Sequence, residues 1–187
     1  MGIIARYYEV KDEQIDKYVD TADDDKQHFA DDWLVDNPAV NKTDIGEMWD
    51  ALHFVLTSTG MSATSRINGN SVNSVVKPLE LLSDFIVGND IRKIASDEET
   101  FTAYILSENV KQIVQVLQSV KFAAKIQRFG NETCANECLH PGVPFWDGWE
   151  NDSALRQQLT DHFNNLKDLY HNAASNGNGI FIVFDYE

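Results

Sequence analysis

The stretch 44–58, with the sequence DIGEMWDALHFVLTS, constrains the fold most, because it is apolar on two sides when drawn as a helix. At about 100° per residue, one narrow stripe contains Ile45, Trp49, Leu52 and Leu56. Phe54 points the opposite way. A helix that is apolar on two sides is usually covered on both, so we predict a buried central helix. Asp44 is its expected N-cap residue, and Glu47 completes a pair that resembles a capping box.

The polar seam of this helix is formed by Asp50 and His53, which are neighbours on the helix surface. In one interpretation the pair is a catalytic couple, with Asp50 orienting His53 as a general base. In the other, His53 is a histidine at the edge of the core that a carboxylate holds in place. The structural interpretation is favoured, because no nucleophile or third group is visible beside the pair. Asp50 and His53 are the candidate catalytic residues, and whether the protein is an enzyme stays open.

Size and charge limit the function classes. The chain has 187 residues, of which 43% are hydrophobic, and we expect one domain over residues 1–187. This domain includes an acidic segment at 21–32 and a polar loop at 57–73. The 30 acidic and 15 basic residues give a net charge of −15, which repels nucleic-acid phosphates and anionic lipid. The surface suits a basic protein partner, or it serves solubility alone.

The sequence also bears on the compartment and on metal binding. The first is judged from membrane spans and signal peptides, and the second from the two cysteines. No apolar run has the length of a membrane span, and the N-terminal residues lack the features of a signal peptide, so we expect a cytoplasmic protein. Cys134, Cys138 and His140 offer three soft ligands, whereas a structural zinc site normally needs four. We therefore predict free thiols, no metal site and no cofactor.

Strand and helix patterns alternate along the chain. Strands are predicted at residues 2–10, 101–106 and 179–186, the first of them covered on both sides. Helices are predicted at 11–20, 79–87, from Ser107, and from Ser153 to about residue 175, with both serines as N-caps. The alternation predicts an α/β or α+β fold, a single layered domain with a mixed β-sheet flanked by helices.

Three tryptophans are candidate binding residues: Trp49, Trp146 and Trp149. Trp146 and Trp149 belong to the segment 140–150, predicted to be an irregular loop, where they could anchor a partner or plug the edge of the core. The plug is favoured, because large aromatic side chains are mostly buried. A basic cluster within residues 121–128 could mark a nucleic-acid module, but a solvated helix face is the simpler interpretation.

The segments GIIARYYEV, WDALHFVLT, HPGVPFWD and LKDLYHNAASNGNGIFIVF follow one another in an order that resembles the YfbM-like family. These are small bacterial proteins classed as a domain of unknown function. The resemblance spans nearly the whole chain, and its most specific motif is Trp49-Asp50-x-Leu52-His53-x-x-Leu56-Thr57. The sequence departs from the family at His140, where an aromatic residue is expected before the proline, and in its longer acidic N-terminal segment. The resemblance implies one α/β domain in the bacterial cytoplasm, and it carries no activity or site residues with it.

The leading functional prediction is a small acidic interaction protein. One version is an immunity-type protein that neutralises a basic toxin or nuclease. The alternative is a small-molecule-binding protein or an enzyme with a site near Asp50 and His53, walled by Trp49 or Trp146.

Overall fold

The computed structural model describes residues 2–22, 40–58, 77–89, 92–93, 101–147 and 151–186. The strands are β1 (Ile3–Val10), β2 (Lys42–Gly46), β3 (Arg92–Lys93), β4 (Phe101–Ile105) and β5 (Gly179–Tyr186). The helices in these ranges are α1 (Asp12–Asp20), α2 (Trp49–Thr57), α3 (Lys77–Val87), α4 (Ser107–Leu117), α5 (Phe122–Ile126), α6 (Asn131–Asn136), α7 (Val143–Asp147) and α8 (Asp152–Asn176). The α/β class predicted from the sequence is confirmed.

The strands form one sheet in the order β2-β1-β5-β4-β3. The first strand, β1, and the last, β5, pair along the full length of both strands, from Ile3 opposite Tyr186 to Val10 opposite Gly179. Each pairing in the sheet is antiparallel, which corrects the predicted mixed strand directions. Helices between strands do not by themselves require parallel pairing. Among the described residues five helices separate β4 from β5, and these two strands still pair antiparallel.

Helices cover both faces of the sheet. Side chains of a strand alternate between the two faces, and β1 has apolar side chains on each of them. On one face, Ile3 and Tyr7 of β1 join the large core built with α2, α3, α4 and α8. On the other face, Tyr8 and Val10 pack with Ile15 of α1 in a smaller cluster. The prediction that the first strand is covered on both sides is therefore confirmed.

The central helix α2 is shorter than predicted, because its expected first turn belongs to β2. Asp44 lies opposite Arg6 in the ladder with β1, and Ile45 is fully buried. The Asp44 carboxylate accepts the N–H of Gly46, whose φ of +54° turns the chain toward the helix. The prediction of Asp44 as an N-cap is wrong, since the residue pairs in the sheet. From Trp49 onward α2 is buried on most sides, as predicted.

Helix caps also come from residues other than those predicted. α4 begins at Ser107, but Asp12 of α1 supplies the cap, accepting both the N–H and the hydroxyl of Ser107 at 2.9 and 2.7 Å. For α8, Asn151 rather than Ser153 is the N-cap, and its side chain accepts the N–H of Ala154. In each case the predicted serine lies inside the first turn.

Two predicted segments fall largely outside the described residues. These are the acidic segment 21–32 and the polar loop 57–73. The segment 140–150 was predicted to be an irregular loop and contains the short helix α7. Helix α6 has no counterpart among the predicted elements, because its sequence NETCAN lacks an apolar stripe.

Candidate functional site

The first turn of α2 places Trp49 and Asp50 beside the start of β1 and the segment that follows α6. Both residues are buried, and Asp50 is only 2% exposed. One Asp50 carboxylate oxygen accepts the backbone N–H of His140 at 2.8 Å. The N-terminal turn of a helix favours negative charge, which lowers the cost of burying this carboxylate. Asp50 therefore ties the segment around His140 to α2.

His53 lies one turn further along α2 and is also 2% exposed. Its Nε2 is 2.8 Å from the hydroxyl of Ser83 on α3. Its Nδ1 is 3.4 Å from the hydroxyl of Thr57, a longer contact, and that hydroxyl also donates to the His53 carbonyl. Both ring nitrogens thus face protein hydroxyls in a closed environment. The contact with Ser83 joins α2 to α3.

Trp49 and His140 together hold the first residue of β1. The backbone N–H of Ile3 donates to Nε2 of His140 at 2.6 Å, and the indole N–H of Trp49 donates to the Ile3 carbonyl at 2.9 Å. The two rings are stacked with centroids 5.4 Å apart. Trp49 also makes an edge contact with Phe184 of β5, with ring centroids 5.5 Å apart. Trp49 is thereby part of the core, with its polar atom bonded inside the protein.

The cysteines differ in their surroundings. Cys134 is fully buried, and burial raises the pKa of its thiol to about 12, with the carboxylates of Asp152 and Asp50 adding to the effect. A thiol with such a pKa stays protonated at neutral pH and is a poor nucleophile and metal ligand. Cys138 is exposed, and both cysteines are free. Nε2 of His140, the third candidate ligand, already accepts from Ile3. Across the described residues, no group of three or more His, Cys, Asp or Glu side chains could hold a metal ion.

Trp146 occupies the position expected of a plug. Its side chain is fully buried, and its indole N–H donates to the carbonyl of Leu139 at 2.9 Å. Phe145 packs edge-on against it. Trp149, the other candidate in this segment, lies outside the described residues.

Of the predicted site residues, the structure gathers Trp49 and Asp50 around His140, and it places His53 against Ser83. Sequence reasoning missed the role of His140 as a hydrogen-bond acceptor and the role of Ser83 as a partner of His53. Nothing in the local sequence signals either contact, because the partners are separated by 137 and 30 residues.

The fold and this junction define a class of protein: an α/β protein with a central antiparallel sheet, whose buried Trp-Asp motif anchors the start of the first strand. The family described as "Domain of unknown function (DUF1877)" matches residues 1–183, and the chain belongs to this family. The predicted YfbM-like resemblance is confirmed.

Among solved structures, the chain is similar to YfbM from Escherichia coli, titled a protein of unknown function. The TM-score is 0.65 at 18% sequence identity, and the match covers 97% of this chain and 99% of YfbM. At this identity the likeness shows the fold alone. No curated protein sequence matches the chain. In the part of the chain that the structure describes, no helix has both the length and the apolar character needed to cross a membrane.

Proposed function

We propose that this chain is an acidic protein-interaction module of the cytoplasm that binds a basic protein partner. One version is an immunity-type protein, which neutralises a basic toxin or nuclease through charge and shape complementarity. The observation that carries the proposal is the exposed surface of α1, where three carboxylates stand together on a chain with a net charge of −15. A surface of this sign speeds encounter with a positively charged partner.

The acidic face of α1 consists of Glu13, Asp16 and Asp20, all of which are exposed. At about 100° per residue these three positions lie within about 60° of one another on the helix. The opposite side of α1 carries Ile15 and Tyr18, which are buried against the sheet. Because the apolar side packs against the sheet, the helix is held in place and its acidic face points toward solvent.

The alternative, a small-molecule site or enzyme around Asp50 and His53, finds less support. Asp50 bonds to the backbone of His140, and His53 bonds to Ser83. A solute reaching these buried groups would have to displace bonds that join parts of the fold. We therefore propose a structural role for the pair, with Trp49 and Trp146 as core residues.

The free thiols of Cys134 and Cys138 suit a reducing compartment, which supports a cytoplasmic location. The large core and the smaller cluster lie on opposite faces of one sheet, which supports a single domain over residues 1–187.

The experiment compares two variants that lose the same charge from different surfaces. The α1 variant carries Glu13→Gln, Asp16→Asn and Asp20→Asn. The control variant carries Glu108→Gln, Asp161→Asn and Asp168→Asn, at exposed positions of α4 and α8. The tagged full chain first recovers partners from an extract of its source organism, and each is purified and titrated against wild type and both variants.

The expected partner is a basic protein whose binding weakens steeply between about 50 and about 500 mM salt, because screening shortens the reach of charge. The α1 variant should bind at least about tenfold more weakly, equivalent to about 1.4 kcal/mol, while the control stays within about twofold of wild type. Recovery of only acidic or neutral partners overturns the proposal. Equal weakening by the two variants overturns the assignment to α1.

A further inference from the structure

The first residue of β1 is bonded on one side by side chains instead of a strand. β2 pairs with β1 only as far as Ala5, which lies opposite Gly46, whereas pairing with β5 continues to Ile3. Beyond the end of β2, the N–H of Ile3 donates to His140 and its carbonyl accepts from Trp49. The stacked rings of Trp49 and His140 therefore supply the two hydrogen bonds that a neighbouring strand would give. We call this pair the edge cap.

The bond from Ile3 fixes the protonation state of His140. The N–H of Ile3 needs a lone pair on Nε2, and a doubly protonated imidazole has none, since both of its ring nitrogens are donors. The ring is therefore neutral when the edge cap is closed, and its single proton resides on Nδ1. The indole of Trp49 is always a donor, so its bond to the Ile3 carbonyl does not depend on pH.

The surroundings of His140 decide whether its ring is neutral or positively charged. Burial lowers the pKa of the His140 ring. Two carboxylates lie in this neighbourhood: that of Asp50 holds the backbone N–H of His140, and that of Glu47 lies against Gly2. The Cys134 thiol is uncharged at neutral pH, because its pKa is about 12.

We infer that Trp49 and His140 form an acid-sensitive cap on the edge of the central strand β1, closed while His140 is neutral and opened when its ring takes up a second proton. Opening turns Nε2 from an acceptor into a donor that faces the N–H of Ile3. The N–H of Ile3 then becomes available to water or to an added strand, while its carbonyl keeps the bond from Trp49, because an uncapped strand edge offers unpaired backbone groups.

The test follows the Ile3 amide and the His140 ring in the same samples. Hydrogen exchange at Ile3 is measured by NMR between about pH 7.5 and about pH 4.5, across the ordinary histidine range, and is corrected for the intrinsic rate. The ¹⁵N shifts of the His140 ring report its tautomer and its titration. Ile182, in the central strand β5, serves as the reference amide. We expect Nδ1 to carry the proton at neutral pH.

In wild type, protection of Ile3 should fall about tenfold per pH unit once the ring titrates, while protection of Ile182 persists. His140→Gln keeps an acceptor that does not titrate, so protection of Ile3 should become independent of pH. His140→Phe keeps the stacked ring without the acceptor, so Ile3 should be unprotected throughout. His171→Gln, at a half-buried position of α8, is the control and should behave as wild type.

Three results would each overturn the inference. The first is a proton on Nε2 at neutral pH. The second is titration of His140 without any change at Ile3. The third is loss of protection at Ile3 and Ile182 at the same pH, which would mean that the strand edge opens only when the whole protein unfolds.

Discussion

The Asp50 carboxylate is buried and hydrogen-bonded to a backbone N–H. Its carboxylate accepts the N–H of His140, which lies 90 residues away along the chain, and it lies in the first turn of α2. A hydrogen bond to a charged acceptor is stronger than a neutral one, and its removal leaves the donor unpaired inside the protein. We therefore expect the Asp50 carboxylate, a candidate catalytic group in the sequence, to contribute to the stability of the fold.

Replacing Asp50 by alanine should lower the free energy of unfolding by about 2–3 kcal/mol, because the His140 N–H loses its charged acceptor. Urea unfolding followed by circular dichroism measures the change. Asp161→Ala, at an exposed position of α8, is the control and should stay within about 0.5 kcal/mol of wild type. Equal unfolding midpoints for Asp50→Ala and wild type would refute the structural role.

The contact between His53 and Ser83 can be isolated with a double-mutant cycle. His53→Ala and Ser83→Ala should each destabilise the protein, since both side chains are buried. Their effects should fail to add by about 0.5–1.5 kcal/mol, the usual size of one hydrogen bond. Urea midpoints of the two single variants and the double variant give this coupling. Strict additivity would show that the 2.8 Å contact contributes nothing to stability.

For single residues, the sequence points to Asp50 and His53 but not to the residues that they contact. The spacing of Asp50 and His53 on an apolar helix marks them as a polar seam, and the structure places both in the interior. Their partners, His140 and Ser83, come from segments that no helical or strand period links to α2. Such pairs depend on how elements pack, which a local pattern does not encode.

The C-terminus of α3 shows how an element ends inside the protein. The last carbonyls of a helix have no partner within it and must find one elsewhere. Here the hydroxyl of Tyr7 donates to the Ile86 carbonyl at 2.6 Å, and that of Tyr170 donates to the Phe85 carbonyl at 2.8 Å. Burial raises the pKa of both tyrosines well above the ordinary value, so both hydroxyls keep their protons at neutral pH. One residue from β1 and one from α8 thus hold the same helix end.

Tyr7→Phe and Tyr170→Phe should each lower the free energy of unfolding by about 1–2 kcal/mol, because each leaves a buried carbonyl unpaired while keeping the ring. Thermal and urea unfolding provide the measurement. Tyr186→Phe is the control, since Tyr186 is 41% exposed, and it should leave the stability unchanged. A loss for Tyr186→Phe as large as for the buried pair would contradict this account.

At the element scale, long periodic segments are predicted well and short ones poorly. The stripe of α8 and the apolar run of β5 repeat over enough residues to be unambiguous. The five residues of β2, KTDIG, look like a helix start, because Asp44 suits an N-cap. Pairing with β1 overrides that local preference, and it becomes visible only when both strands are in place.

At the scale of the whole molecule, the sequence specifies the class of fold and leaves strand order open. Terminal strands rich in apolar residues predict a sheet, but they do not say that β1 and β5 pair with each other. The two strands pair because the chain returns to the centre of the sheet after α8. The helices that precede this return pack against elements that are distant in sequence.

The fold as a whole should lose stability in mild acid, and His162 on α8 is one cause. This side chain is half-buried, and burial lowers its pKa, although Asp44 and Asp161 act in the opposite direction. Within the described part of the chain, its buried Nδ1 has no hydrogen-bond partner that could accept from a protonated ring. The unfolded chain takes up a proton near about pH 6.5, whereas the folded chain resists it to lower pH. The contribution of His162 is therefore complete above about pH 6.5 and is lost as the pH falls through the lowered folded value.

Urea midpoints at about pH 7.5 and about pH 5 should show this loss in wild type. In His162→Gln the drop should be smaller but not absent, since burial also lowers the pKa of His140. His171→Gln, on the same helix, is the control and should lose as much stability as wild type. An equal drop in wild type and His162→Gln would show that protonation of His162 does not oppose folding. A smaller drop in His171→Gln alone would show that the loss of stability in acid does not come from His162.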